Sequence, residues 1–152
     1  MLPIHTILFA TDFSESAQWA FPLACSLGRD SGARVVVLYV LRPPLWDEEI
    51  QAERHPEEYY EGAWEALRRM QAPDDNVRVE HRLEEGDAAN VILDVAQEIE
   101  AGLIVMASHG RTGLSRVLFG SVAEQVLRRS ACPVLTVKPP APSTVASPPA
   151  TK

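Results

Sequence analysis

Residues 103–126 read LIVMASHGRTGLSRVLFGSVAEQV. Leu103, Ile104, Val105 and Met106 form a short unbroken apolar run, the mark of a strand covered on both faces. Ser108-His109-Gly110-Arg111-Thr112-Gly113 breaks that run with small and polar residues. Gly120-Ser121 then opens a helical pattern with Val122, Ala123, Val126 and Leu127 on one side. A helix start leaves backbone N–H groups free, and the macrodipole adds positive potential there. Glycines let a ligand's oxygens approach the main chain. Strand, glycine-bearing loop and helix start together predict an anion site, with phosphate the natural occupant.

The phosphate loop GxxxxGK[ST] is absent, and so is the dinucleotide pattern GxGxxG. What stands instead is Gly110, nine residues, then Gly120-Ser121. This spacing resembles the nucleotide loop of the universal stress protein family: glycine, two residues, glycine, nine residues, glycine, then serine or threonine. Ala107 occupies the place of the first glycine. The resemblance runs from Pro3 to Lys138 and also rests on ATDFSESA (10–17), EGDAANVI (85–92) and GSVAEQVLRRSACPVLTV (120–137).

The chain has 152 residues, 46% of them hydrophobic, enough for one domain with a proper core. A formal charge of -7 argues against non-specific nucleic-acid binding, which needs a basic face. The acid is concentrated in Asp47, Glu48, Glu49, Glu53, Glu57, Glu58 and Glu61, a pattern that suits a solvated face. Cys25 and Cys132 have no CxxC spacing and form no metal-ligand pattern with His5, His55, His81 and His109. Buried thiols in a reducing compartment are expected. The N-terminus lacks the basic start of a signal peptide, and no stretch approaches the roughly 20 apolar residues of a membrane helix. A soluble, cytoplasmic protein is expected, with no membrane partner.

In chain order, a first strand is predicted over Ile4–Ala10 and a helix with Ala17, Ala20, Phe21, Ala24 and Leu27 at helical spacing. Asp12 or Ser14 caps it, and Pro22 interrupts it. GRDSG (28–32) reads as a turn, and Ala33–Val40 as a central strand. RPPLWDEE is too rich in proline for a regular element. A helix from about Glu57 to Met70 is expected to turn Tyr60, Trp64, Leu67 and Met70 inward. Val77–Glu84 alternates and suits an edge strand. The next helix carries Ala88, Val91, Ile92, Val95, Ala96 and Ile99 toward the core, and Pro133–Val137 forms the last strand. Residues 139–152 (PPAPSTVASPPATK) read as a disordered tail beyond a single domain of residues 1–138.

Strand and helix alternate, so the fold class is α/β with a single doubly wound domain, about four helices and a mainly parallel five-stranded sheet. The resemblance implies the strand order 3-2-1-4-5, with a crevice where the first and fourth strands end. It also implies ATP as the ligand, with magnesium or manganese carried on the triphosphate.

On the resemblance, Ala10, Thr11 and Asp12 contact the adenosine side, the Asp12 carboxylate accepting ribose or base hydrogens. Val40 offers backbone groups to adenine. Met106 and Ala107 line the ribose and phosphate path, and Gly110 and Gly113 let the loop wrap the phosphates. Gly120, Ser121 and Val122 supply N–H groups and a hydroxyl. His109 either donates to phosphate or packs as an ordinary loop histidine; Arg111 either pairs with phosphate or is solvated. Nucleotide-binding members often carry a hydroxyl where Ala123 stands. Ser108 beside His109 lacks the GxSxG context of a hydrolase.

The reading is a nucleotide-responsive regulatory module of the stress response, an ATP binder with no strong catalytic set. The alternatives are a dimeric interaction protein that does not use nucleotide, and a slow ATPase or autokinase acting through His109 or Ser121. A homodimer is expected through the edge strand at 133–138, whose apolar Val134, Leu135 and Val137 invite pairing with a second copy.

Overall fold

The computed structural model describes residues 3–42, 56–108 and 120–139. Most of the acidic segment, the loop residues His109, Gly110, Arg111 and Gly113, and the tail from residue 140 lie outside the described residues.

The elements run β1 (Thr6–Thr11), α1 (Glu15–Ser31), β2 (Arg34–Leu41), α2 (Pro56–Arg69), β3 (Val79–Glu85), α3 (Ala88–Glu98), β4 (Leu103–Ala107), α4 (Ser121–Arg129) and β5 (Val134–Val137). The five strands form one sheet in the order β3-β2-β1-β4-β5. Every pairing is parallel. β3 and β5 are therefore the edges, and β1 is central between β2 and β4.

Alternation along the central strands divides the interior into two cores. Ile7 and Phe9 of β1, with Val35 and Val37 of β2 and Val105 of β4, meet α1 and Leu67 of α2. Leu8, Val36, Leu38, Ile104 and Met106 point the other way, against α3 and α4. A strand with both faces covered has no polar side, which is why β1, β2 and β4 read as continuous apolar runs.

α1 starts on a good cap: Ser14 Oγ accepts from the Ala17 N–H at 3.2 Å. It continues through Gly28 to Ser31 and ends on Gly32 in the left-handed region, φ 74°. The turn expected at 28–32 thus shrinks to its last glycine. Gly28 stays helical because it packs directly on β2, where a Cβ would lie 2.8 Å from Val35 Cγ2. Cys25 on this helix is fully buried, and that burial pushes its thiol up to about 11. It is a packing group.

α2 differs in its inward face. Leu67 is buried as expected, Trp64 and Met70 pack at the margin, and Ala63 is buried beside them. Tyr60 is exposed, and its hydroxyl donates to the Glu85 carboxylate at the end of β3. Leu127 of α4 also remains exposed; Ala123 and Val126 alone carry that helix's buried face.

Candidate functional site

α1 follows β1 on one face of the sheet and α4 follows β4 on the other. β1 and β4 are neighbours, paired Ala10 to Met106. Chains leaving two adjacent strands in opposite directions leave a crevice at the strands' C-terminal ends. A cleft of about 340 Å³ opens there.

Its first wall is the turn after β1. Thr11 Oγ1 accepts from the Phe13 N–H at 3.0 Å, and Asp12 Oδ1 accepts from the Ser14 N–H at 2.9 Å. Phe13 sits in the left-handed region, φ 60°, a rare state for a bulky residue. Its ring lies 4.5 Å from that of Tyr39 on β2, centroid to centroid. The two side-chain acceptors that precede Phe13 and this ring contact together hold the turn. Ala10, Thr11 and Asp12 all line the cleft.

The opposite wall is the start of α4. Ser108 is fully buried; its N–H donates to the Val137 carbonyl at 3.0 Å and its carbonyl accepts from the Gly120 N–H at 2.8 Å. These two bonds fasten the end of β4 to β5 and to the entry of α4, so Ser108 is a structural anchor. Gly120, rather than a serine, is the N-cap residue of α4, and no side chain caps the helix. The first helical bond runs from the Glu124 N–H to the Gly120 carbonyl. The N–H groups of Ser121, Val122 and Ala123 therefore lack an acceptor within the helix. Gly120, Ser121, Val122 and Ala123 all line the cleft, so this uncapped end faces it. Arg129 donates to Asn90 Oδ1 at 2.7 Å and ties the far end of α4 to α3.

The floor is apolar: Leu38, Ile92 and Met106. Val40 and Ala107 line the sides. Because Thr11 pairs with Tyr39, Asp12 leaves the sheet beside Val40, which stays in β2 and pairs with Glu84 of β3. The arrangement offers a carboxylate and strand-end backbone at one end, the N–H groups of a helix start without a side-chain cap at the other and an apolar floor between. An elongated ligand with hydroxyls at one end and an anion at the other matches that layout.

Ala10, Thr11, Asp12, Val40, Met106, Ala107, Gly120, Ser121 and Val122 thus share one cleft. Arg42 and Tyr59 also line the cleft, and nothing in the sequence pattern assigned them to it. Arg42 borders the proline-rich stretch, and Tyr59 sits at the start of α2, where helical spacing speaks only to burial. Among the described residues, no group of three or more His, Cys, Asp or Glu side chains is placed to hold a metal ion. No described helix is long and apolar enough to cross a membrane.

The profile of the Universal stress protein family matches residues 3–138. The chain belongs to that family. A universal stress protein of Methanocaldococcus jannaschii is 36% identical over 141 residues, covering 88% of this chain and 82% of the relative. Among solved structures, a universal stress protein in complex with cAMP aligns with a TM-score of 0.60 and 27% identity, covering 89% of this chain and 97% of that one. The universal stress protein of Archaeoglobus fulgidus in complex with dAMP aligns with a TM-score of 0.57 and 25% identity, covering 89% and 98%. As a universal stress protein, this chain has similar proteins that bind nucleotides whose base is adenine.

Proposed function

We propose that this universal stress protein binds ATP in the cleft between the ends of β1 and β4 and acts as a nucleotide-responsive regulatory module in the stress response. The observation that carries the reading is the uncapped start of α4 facing the Asp12 turn across one cleft. The helix-start N–H groups of Ser121, Val122 and Ala123 suit phosphate oxygens, and the Asp12 carboxylate suits the ribose hydroxyls. The cAMP and dAMP complexes of similar proteins support adenine as the base. In the loop outside the described residues, Gly110 and Gly113 would let the chain wrap the phosphates, with His109 and Arg111 as candidate contacts. Magnesium or manganese would arrive on the triphosphate; Asp12 is the one carboxylate among the described lining residues.

Within this reading turnover is slow at most, since the sequence carries no phosphate-loop lysine after Gly120. The test is to denature freshly purified protein, chromatograph what is released, and titrate thermal stability with ATP and magnesium. ATP at 100 times its Kd adds about 2.7 kcal/mol of stability. The Asp12→Ala variant should lose most of that shift, measured against its own ligand-free melting temperature, which falls because the Ser14 N–H loses its acceptor. No released nucleotide and no shift in the folded protein would favour the alternative, an interaction protein whose site Ala107 and Ala123 have closed.

We also propose that β5 pairs with its counterpart in a second copy. It is an edge of the sheet, and an open edge offers unpaired backbone groups. Light scattering should then give about twice the 16.7 kDa chain mass; a mass near that of one chain would remove the proposal.

A further inference from the structure

Tyr59 and Arg42 both line the cleft that also holds Val40. Arg42 extends β2 just past Val40, the position taken for the base. Every other described arginine is held by a carboxylate, an amide oxygen or, for Arg68, the Trp64 ring. Arg42 alone among the described arginines has no such partner. Tyr59 is the other anomaly: a large ring, 47% exposed, on the cleft side of a helix whose next residue, Tyr60, is anchored to Glu85. That anchor fixes the first turn of α2 against the end of β3, so Tyr59 is carried on a held element.

A planar donor without a partner and an exposed aromatic ring, both lining one cleft, suit a flat ligand group rich in acceptor nitrogens. We propose that Tyr59 and Arg42 close over a purine base seated at Val40, the ring covering a face of the base and the guanidinium stacking on it or donating to its ring nitrogens. They are specificity residues for the base, separate from the phosphate contacts at α4. This inference rests on the proposed nucleotide reading of the same cleft.

Calorimetric titration with ATP and, separately, with adenosine tests it. Both side chains are at the surface, so the variants should fold, and circular dichroism checks that. Tyr59→Ala should weaken both ligands by about tenfold, the scale of one base–aromatic stack, while Tyr59→Phe stays close to wild type. Arg42→Ala should weaken both by about fivefold, and Arg42→Lys should recover little, because lysine keeps the charge but not the plane. Wild-type binding with unchanged affinity in all four variants would overturn the inference and leave the nucleotide reading standing. A loss confined to ATP and abolished by salt would overturn it too, since it would make Arg42 a phosphate contact. Wild-type protein that binds neither ligand would overturn the reading beneath it as well.

Discussion

Truncating Phe9 to alanine is expected to lower folding stability by about 3–5 kcal/mol, the cost of deleting a fully buried aromatic side chain. Phe9 lies at the centre of β1, paired with Val37 on one side and Val105 on the other, with no exposed surface. Its ring packs 5.3 Å from that of Phe21 on α1, centroid to centroid, at a tilted 41°. The cavity would open where strand, neighbouring strand and helix meet, a place with little freedom to collapse. For a domain of this size each kcal/mol lowers Tm by roughly 2–4 °C. Urea unfolding measures the loss, with Phe9→Leu as a variant expected to cost much less. A loss below about 1 kcal/mol for Phe9→Ala would contradict close packing between β1 and α1.

Gly28→Val carries the second large effect, through the opposite defect. A Cβ at this position lies 2.8 Å from Val35 Cγ2, 2.9 Å from Val77 Cγ2 and 3.0 Å from the Ala33 carbonyl oxygen. One of the three contacts is main chain, and the two valines are themselves buried, so no flexible side-chain end can give way. Overpacking of this kind costs about 1–3 kcal/mol, and valine's two further carbons place the change at the upper end. The decisive measurement is a pair of variants: Gly28→Val alone, and Gly28→Val with Val77→Ala. Partial recovery in the double variant is expected, because it vacates one of the clashing positions. Strictly additive losses would show that the helix and strand separate rather than press on Val77.

The same glycine shows where local reading stops. Gly28-Arg29-Asp30-Ser31-Gly32 has the composition of a turn, yet the chain remains helical to Ser31. The reason is the approach of Val35 and Val77, and no neighbouring residue announces it. α2 shows the same limit. Tyr60 falls on the stripe with Trp64 and Leu67, but α2 packs at the β3 side of the sheet, where Ala63 and Leu67 suffice to cover it. The long apolar runs of β1, β2 and β4 and the alternation of β3 were legible, because burial on one or two faces writes itself directly into residue type. Strand order was not; it came from the resemblance and agrees with the observed sheet. At the cleft, the residues that stand in motifs were legible, from the Ala10-Thr11-Asp12 turn to Gly120-Ser121. Arg42 and Tyr59 belong to no motif. Their place follows from where β2 ends and how α2 returns, which is three-dimensional information.

Phe13 carries one more consequence. Glycine reaches a φ of 60° without strain, but it would leave the turn after β1 loosely defined in the unfolded and folded chain alike. Phenylalanine accepts the strained backbone and clamps it with the Tyr39 ring. The Asp12 turn is thereby preorganised, with one carboxylate oxygen held by the Ser14 N–H, and little entropy is left to lose in ordering it. Association through this wall should then be set by diffusion and orientation, with no slow rearrangement of the β1–α1 connection in its path.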